Sequence, residues 1–551
     1  MRFPTAAPSP SSRLVRSAAC FGALFAVSAA VAAMPGYLGV STVRGRAYGN
    51  EPLFFTPPQE GDHFAFSLAT GDFNGDGAED LASGIPDDDG VAGFEVINAG
   101  AFVVRYGVPG AGLASQSTLF SQFTSGSPDP QREDDQFGYA LAAGDFNGDQ
   151  IDDLAVSVPG HREGFFDYTY GAVAIHYGTP SGLEPAASEW LVPHFTAGMV
   201  PAAGRGLRIC GQDLATGDFD HNGYADLVIG CPFSYIYYPP DSLLEEAGAV
   251  IVLLGAPGGL LPFFGYIFDQ DSPDILGGAE DYDHLGAAVA TGDFDGDSFD
   301  DLAIGASGED DKGIVQIVFG NAGGLDLPNN ALYFQHHTGG VDEAGDQFGQ
   351  ELAAGDFDGD GFDDLAVAAP FEDETSGFPD APDTGAISMM FGSAAGIHLA
   401  RSKYFQQSDI LGVGVVDQSG DRFGCALAAG DLDGDGRADL AVGHPGEGNG
   451  GADRGAVTLL MGGPGGVLTR FGNLLAGTGG YPGEVQDSQD YGASAATGDF
   501  DGDGFADLVI GAPYFNAFPL ANVGAEVVLY GSLFSDGFAS GAIETWSAST
   551  P

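Results

Sequence analysis

The apolar positions of this chain fall in short runs fenced by glycine. The clearest run recurs seven times, each time between glycines seven residues apart: Gly100 to Gly107, Gly171 to Gly178, Gly248 to Gly255, Gly313 to Gly320, Gly385 to Gly392, Gly455 to Gly462 and Gly524 to Gly531. Its filling is β-branched and apolar, as in Ile314-Val315-Gln316-Ile317-Val318-Phe319, which predicts a strand buried on both faces. A short turn such as Gly324-Leu325 then leads into a more variable strand. Ahead of each run the chain reads Leu-apolar-apolar and ends in a small-residue turn: Gly84-Ile85-Pro86, Ser157-Val158-Pro159, Gly230-Cys231-Pro232, Gly305-Ala306-Ser307, Ala368-Ala369-Pro370, Gly443-His444-Pro445 and Gly511-Ala512-Pro513.

Between these apolar stretches lies one acidic phrase, present seven times: GDFNGDGAEDL from Gly71, GDFNGDQIDDL from Gly144, GDFDHNGYADL from Gly217, GDFDGDSFDDL from Gly292, GDFDGDGFDDL from Gly355, GDLDGDGRADL from Gly430 and GDFDGDGFADL from Gly498. Successive copies are 73, 73, 75, 63, 75 and 68 residues apart, room for four strands with generous loops. Eight residues before the first Asp of each phrase stands an aromatic or apolar residue, usually followed by Gly: Phe64-Ala65, Phe137-Gly138, Cys210-Gly211, Leu285-Gly286, Phe348-Gly349, Phe423-Gly424 and Tyr491-Gly492. The ordered set of Phe-Gly, acidic loop and Gly-Ala-Pro turn resembles the FG-GAP repeat, and seven copies resemble the β-propeller head of integrin alpha subunits. The resemblance spans residues 53–548 and implies an all-β, seven-bladed β-propeller of four-stranded antiparallel blades. One such sheet cannot bury its own faces, so the blades must pack around an axis. Closure needs one terminal strand to complete the last blade beside Ala525 to Tyr530, and the candidates are Leu53 to Thr56 and Ile543 to Ser547.

Each loop has nine residues, with Asp or Asn at positions one, three, five and nine and a freely varying seventh position. The sets are Asp72, Asn74, Asp76, Ala78 and Asp80; Asp145, Asn147, Asp149, Ile151 and Asp153; Asp218, Asp220, Asn222, Tyr224 and Asp226; Asp293, Asp295, Asp297, Phe299 and Asp301; Asp356, Asp358, Asp360, Phe362 and Asp364; Asp431, Asp433, Asp435, Arg437 and Asp439; and Asp499, Asp501, Asp503, Phe505 and Asp507. Hard oxygen donors at alternating positions suit Ca²⁺, and variable chemistry at position seven fits a backbone carbonyl ligand. Up to seven Ca²⁺ are expected, one in each of these hairpin loops. An EF-hand is excluded, since position twelve holds Ser83, Val156, Ile229, Ile304, Val367, Val442 or Ile510 and no bidentate Glu. Loops four to seven carry four Asp each and loops one to three only three acids, so the later sites should bind more tightly. Loop two has Gln150 in place of the Gly after its third ligand, which marks its turn as strained or altered, and loop three has His221 where the others have Gly. The alternative is that the loops are Asx turns that only close hairpins.

The 551 residues hold 78 Asp plus Glu against 17 Lys plus Arg, a net charge of −61 that would repel a phosphate backbone and excludes nucleic acid as a partner. Arg2, Arg13 and Arg16 precede an apolar run from Ala18 to Ala33, which reads as a secretory signal peptide over residues 1–33, or as an N-terminal anchor. Residues 34–52 form an N-terminal segment and 549–551 a tail. No other stretch is apolar enough to cross a bilayer, so the mature chain is expected to be secreted or at the cell surface, monomeric, and without a membrane span.

Without the leader, Cys210, Cys231 and Cys425 remain. Cys210 stands at the Phe of FG and Cys231 at the Ala of GAP in one repeat, on two arms of one hairpin, which favours a disulfide over two buried thiols. Cys425 is assigned to packing. The second and third repeats have aromatic loops, with Phe165, Phe166, Tyr168 and Tyr170 in one and Phe233, Tyr235, Tyr237 and Tyr238 in the next. These eight form either a patch for a protein or glycan or packing between blades; the resemblance places ligand recognition on this loop face. No catalytic motif is present. The expected role is cell adhesion or extracellular protein or glycan binding, with an extracellular hydrolase (phospholipase- or glycan-acting) at the propeller mouth and a purely structural surface protein as alternatives.

Overall fold

The structure is a computed structural model. It describes residues 45–49, 59–90, 96–124, 131–163, 168–184, 189–192, 205–238, 242–261, 265–373, 381–411, 418–448, 454–466, 468–475, 490–516 and 520–531. The signal-peptide reading and the C-terminal tail lie outside them.

Seven four-stranded antiparallel sheets are present, each ordered from an inner to an outer strand. Blade one runs Leu68–Gly71, Asp80–Ile85, Ala101–Arg105 and Thr118–Ser121. The inner strands of blades two to seven are Leu141–Gly144, Leu214–Gly217, Leu285–Gly292, Glu351–Gly355, Ala426–Gly430 and Ser494–Gly498. Each inner strand packs on the next, and that of blade seven returns to that of blade one, which closes the ring.

The closing strand corrects the sequence-based expectation. The outer strand of blade seven is Gly45–Gly49, paired with the third strand from Gly45↔Leu529 to Gly49↔Ala525, and so the chain enters the ring within the stretch read above as an N-terminal segment. Both candidates, Leu53 to Thr56 and Ile543 to Ser547, lie outside the described residues. Outer strands contact only one neighbour, so their sequences are free to vary, and Gly-Arg-Ala-Tyr-Gly carries too little apolar pattern to be recognised.

The second and third strands are the buried ones. In blades four, five and six every residue of Asp301–Ala306, Asp364–Ala369 and Asp439–His444 is buried. The residue at loop position two wedges between blades: Phe73, Phe146, Phe219, Phe294, Phe357, Leu432 and Phe500 are all 0 % exposed. Phe73, for example, belongs to one buried cluster with Leu141, Leu154 and Val156 of blade two. The residue just before each FG adopts φ between 50° and 57° in all seven blades (His63, Gln136, Ile209, His284, Gln347, Arg422 and Asp490). This repeated left-handed step turns the chain from the rim into the inner strand.

A buried ion pair spans the seam where the ring closes. Arg105 of blade one and Glu526 of blade seven are 3 % and 0 % exposed and form a salt bridge, while the Ser83 hydroxyl donates to Glu526 Oε2 at 2.6 Å. Cys210 and Cys231 are disulfide-bonded, with Cα atoms 4.1 Å apart, in agreement with the sequence reading. Replacing both with Ser should cost about 3 kcal/mol of stability for a loop of this size. A denaturant titration checks this, and an unchanged midpoint would show that the bridge adds nothing. Cys425, assigned above to packing, lines the central cavity and is not a free thiol, so packing alone does not describe it.

Candidate metal loops

The nine-residue loops join inner strand to second strand and all reach the same face of the ring. Position one anchors each turn through its carboxylate: Asp72 accepts from the N–H groups of Asp76 and Gly77 at 3.1 and 2.9 Å, and Asp499 accepts from Asp503 and Gly504 at 3.0 and 2.8 Å. Position five accepts from the N–H of position seven, as Asp297 does from Phe299 at 3.1 Å.

Position nine is 0 or 1 % exposed in all seven loops. In blades two to seven it accepts from the N–H of position two at 2.9–3.1 Å. In every blade it also accepts from the glycine that ends the third strand, Gly107, Gly178, Gly255, Gly320, Gly392, Gly462 or Gly531, at 2.6–2.9 Å. The second glycine of each bracket is thus a donor that pins the loop. Burial raises these carboxyls, to about 8 for Asp80, Asp301 and Asp507 and about 7 for Asp153, Asp226, Asp364 and Asp439, and neighbouring loop acids add to the rise.

The loops are also stitched to one another, which the sequence did not reveal. The N–H of position eight donates to the carbonyl of position one in the preceding loop at 2.9–3.3 Å, through Asp152 to Asp72, Ala225 to Asp145, Asp300 to Asp218, Asp363 to Asp293, Ala438 to Asp356, Ala506 to Asp431 and finally Glu79 to Asp499. Position seven has a side-chain role as well. Ile151, Tyr224, Phe362, Arg437 and Phe505 each lie over the fourth-position glycine of the loop before, and Phe299 meets His221 edge to face at 5.9 Å. Its variability reflects the loose tolerance of a surface cover.

Five loops gather three acids whose oxygens lie within 4.8 Å of one another: Asp218, Asp220 and Asp226; Asp293, Asp295 and Asp297; Asp356, Asp358 and Asp360; Asp431, Asp433 and Asp439; and Asp499, Asp501 and Asp507. Such groups of hard oxygens are suited to a divalent cation. In loops one and two the amides of Asn74 and Asn147 donate to Asp80 and Asp153 at 3.2–3.4 Å, a neutral substitute for one acid. Loop five has its own counter-charge, since Arg401 pairs with Asp358 and Asp360. Arg437 pairs with Asp435 in loop six. The net negative charge of loop five is therefore smaller than its carboxylate count. The turn residues Gln150 and His221 sit at φ 69° and 50°, and Ser298 of loop four, which the sequence reading passed over, is at 75°. All three are strained for a residue with a side chain.

On the opposite face, the aromatic candidates separate. Phe165 and Phe166 lie outside the described residues, and Tyr168 and Tyr238 are described only as strand positions. Tyr170 is half-buried. Tyr235–Tyr238 is the middle strand of a small three-stranded sheet with Arg205–Gly206 and Ser242–Leu244. Tyr235 packs over Gly206, whereas Tyr237 and Leu243 are 39 % and 44 % exposed. Phe233 turns inward and lines a central cavity of about 400 Å³ to which all seven blades contribute. Asp213 and Glu351 also line it. Burial raises both carboxyls, Asp213 to about 6 and Glu351 well above the usual range. Among the described residues no helix is long and apolar enough to cross a membrane.

The FG-GAP repeat family matches residues 137–176, 211–253, 285–318, 348–388, 423–460 and 491–528. Integrin alpha-5 of Xenopus laevis and integrin alpha-V of Gallus gallus are each 32 % identical over 243 residues, 43 % of this chain and 20 % of those proteins. Integrin alpha pat-2 of Caenorhabditis briggsae is 32 % identical over 275 residues, 46 % of this chain and 20 % of its own. The chain thus spans about a fifth of the length of these relatives. Among solved structures the exotype rhamnogalacturonan lyase YesX covers 90 % of this chain and 76 % of its own at TM-score 0.36 and 12 % identity, too slight a likeness to carry an argument. With seven rounds of FG, acidic hairpin and GAP in one closed ring, and six of them matched to the family, this chain is an FG-GAP repeat protein similar over its repeats to integrin alpha subunits.

Proposed function

We propose that the chain is an exported, calcium-binding propeller that acts as a cell-adhesion or extracellular protein- or glycan-binding module. The observation that carries this reading is the ring of acidic hairpins, five of which gather three carboxylates within 4.8 Å. Up to seven Ca²⁺ occupy the loops. The ligands are the side chains at positions one, three, five and nine and the carbonyl at position seven, including those of Ala78, Ile151, Tyr224, Phe299, Phe362, Arg437 and Phe505. Asn74 and Asn147 turn their amide oxygens to the cation when it binds. Calcium fixes one face of the ring, and the opposite face, with the aromatic loops of blades two and three, meets the partner. The likeness to integrin alpha subunits supports an extracellular setting and a ligand-binding role.

The test is adhesion of cells to a surface coated with the full chain, in calcium and in EDTA. Calcium-dependent adhesion that is lost in the Tyr235→Ser/Tyr237→Ser/Tyr238→Ser variant, with an unchanged melt, is the expected result. Equal adhesion with and without calcium would reject the module. The second reading, a hydrolase at the central mouth, draws on Asp213 and Glu351 in the cavity. Turnover of a glycan or lipid, lost in Glu351→Gln, would favour it over adhesion.

A further inference from the structure

Among the described residues, four blade seams carry a second polar cluster, at the end of the second strands away from the metal hairpins. Each takes a glutamine that follows the outer strand of one blade, and an Asp two residues before FG plus a GAP-turn residue from the next. The sets are Gln122 with Asp135 and His161, Gln270 with Asp283 and Glu309, Gln335 with Asp346 and Glu372, and Gln407 with Asp421 and Glu447. The glutamine Nε2 donates to a carboxylate in every set: to Asp135 at 3.1 Å, Glu309 at 2.6 Å, Glu372 at 2.6 Å and Glu447 at 2.5 Å. These glutamines are 0–2 % exposed. The Oε1 atom of each is buried with no hydrogen-bond partner. A buried amide oxygen without a donor is costly, and its fourfold repetition at equivalent places points to a missing partner and not to chance.

Of the three seams with Glu at the GAP turn, the one between blades four and five is the most closed. Gln335, Asp346 and Glu372 are 2, 2 and 4 % exposed, and the Asp346 and Glu372 carboxyls are within hydrogen-bonding reach of each other. Of the described groups acting most strongly on the pair, Glu343 is a third acid, Tyr404 donates its hydroxyl to Glu372, and none is cationic. The seam between blades five and six differs in one respect. There His444, 0 % exposed, places Nδ1 3.4 Å from Glu447 Oε2 and holds that carboxyl below its usual range. In the seam between blades one and two, His161 stands where the others have Glu. An imidazole thus stands beside the carboxylate in two seams, and among the described residues no imidazole or cationic side chain does so in the seam between blades four and five.

We propose that this seam binds a divalent, oxygen-seeking cation of the calcium class through Asp346, Glu372 and the amide oxygen of Gln335, separately from the hairpin row. Three oxygens that lack a positive charge are what such an ion replaces water with. A proton shared by the two carboxyls neutralises one charge but leaves the Gln335 oxygen unpartnered. The seam of Gln270, Asp283 and Glu309 is a more open copy, because Glu309 is only half-buried. The site lies outside the loops of the function proposed above and stands or falls without them.

Equilibrium dialysis of the full chain against calcium at neutral pH provides the test, with Asp346→Asn/Glu372→Gln beside Asp431→Asn/Asp433→Asn as a hairpin control. Each variant is expected to bind one equivalent fewer than the parent, and the combined variant two fewer. Unchanged stoichiometry in Asp346→Asn/Glu372→Gln overturns the proposal and assigns the pair a shared proton. Should that variant fail to fold, Mn²⁺-soaked crystals of the parent chain decide. An anomalous peak between Asp346, Glu372 and Gln335 supports the site, and peaks confined to the hairpins refute it. A seam peak with empty hairpins would leave this site standing and sink the calcium reading of the loops.

Discussion

EDTA will lower the melting temperature of the folded chain by about 10 °C or more at pH 8, and added calcium will restore it. Each site held at a hundred times its dissociation constant contributes about 2.7 kcal/mol through mass action, so even two or three filled loops outweigh most single mutations. The dependence on pH has opposite signs with and without metal. The seven position-nine carboxyls titrate near 7 to 8 in the folded chain, above about 4 for an unfolded Asp. The folded state therefore binds more protons across that window, and its stability falls as pH rises through it. In EDTA the melting temperature at pH 6 should exceed that at pH 8. Calcium needs the deprotonated carboxylates and so stabilises more as pH rises, which reverses the order. Calorimetry at the two pH values, with calcium and with chelator, reads all four numbers. A melt indifferent to EDTA would mean that the loops are simple Asx turns.

Glu526→Ala will destabilise the ring by about 3–5 kcal/mol, the usual consequence of leaving one member of a buried ion pair without its partner. Arg105 is 3 % exposed and its guanidinium also lies over the Phe64 ring at 5.5 Å, so it has little freedom to reach water. The pair bridges the first and last blades, where the ring closes. Arg105→Met/Glu526→Leu should recover most of the loss, because apolar groups of similar size leave no charge behind. Urea titration of the three proteins measures both effects. A single substitution that costs under 1 kcal/mol would show that water or another group takes over the partner's role.

The seven-fold ring was legible because its punctuation is absolute. Phe or Leu at loop position two must wedge between blades, the glycine ending the third strand must donate to position nine, and the acids must alternate, so every repeat states the same sentence. The closing strand Gly45–Gly49 was not legible, since an outer strand with one neighbour answers to little but backbone pairing. The latch from position eight to the preceding loop is made by main-chain atoms and leaves no mark on side-chain identity. Arg401 was missed because it lies 41 residues from Asp360 in sequence and meets it only in the folded blade. The seam glutamines had a visible signal, an aromatic followed by Gln in Tyr333-Phe334-Gln335 and Phe405-Gln406-Gln407, but its meaning depends on the next blade.

Crystals grown in calcium and measured at a wavelength where calcium scatters anomalously test the central claim most directly. Peaks amid Asp293, Asp295 and Asp297 and at the matching tips of a seven-bladed ring are the predicted result. Well-ordered hairpins without peaks would contradict it.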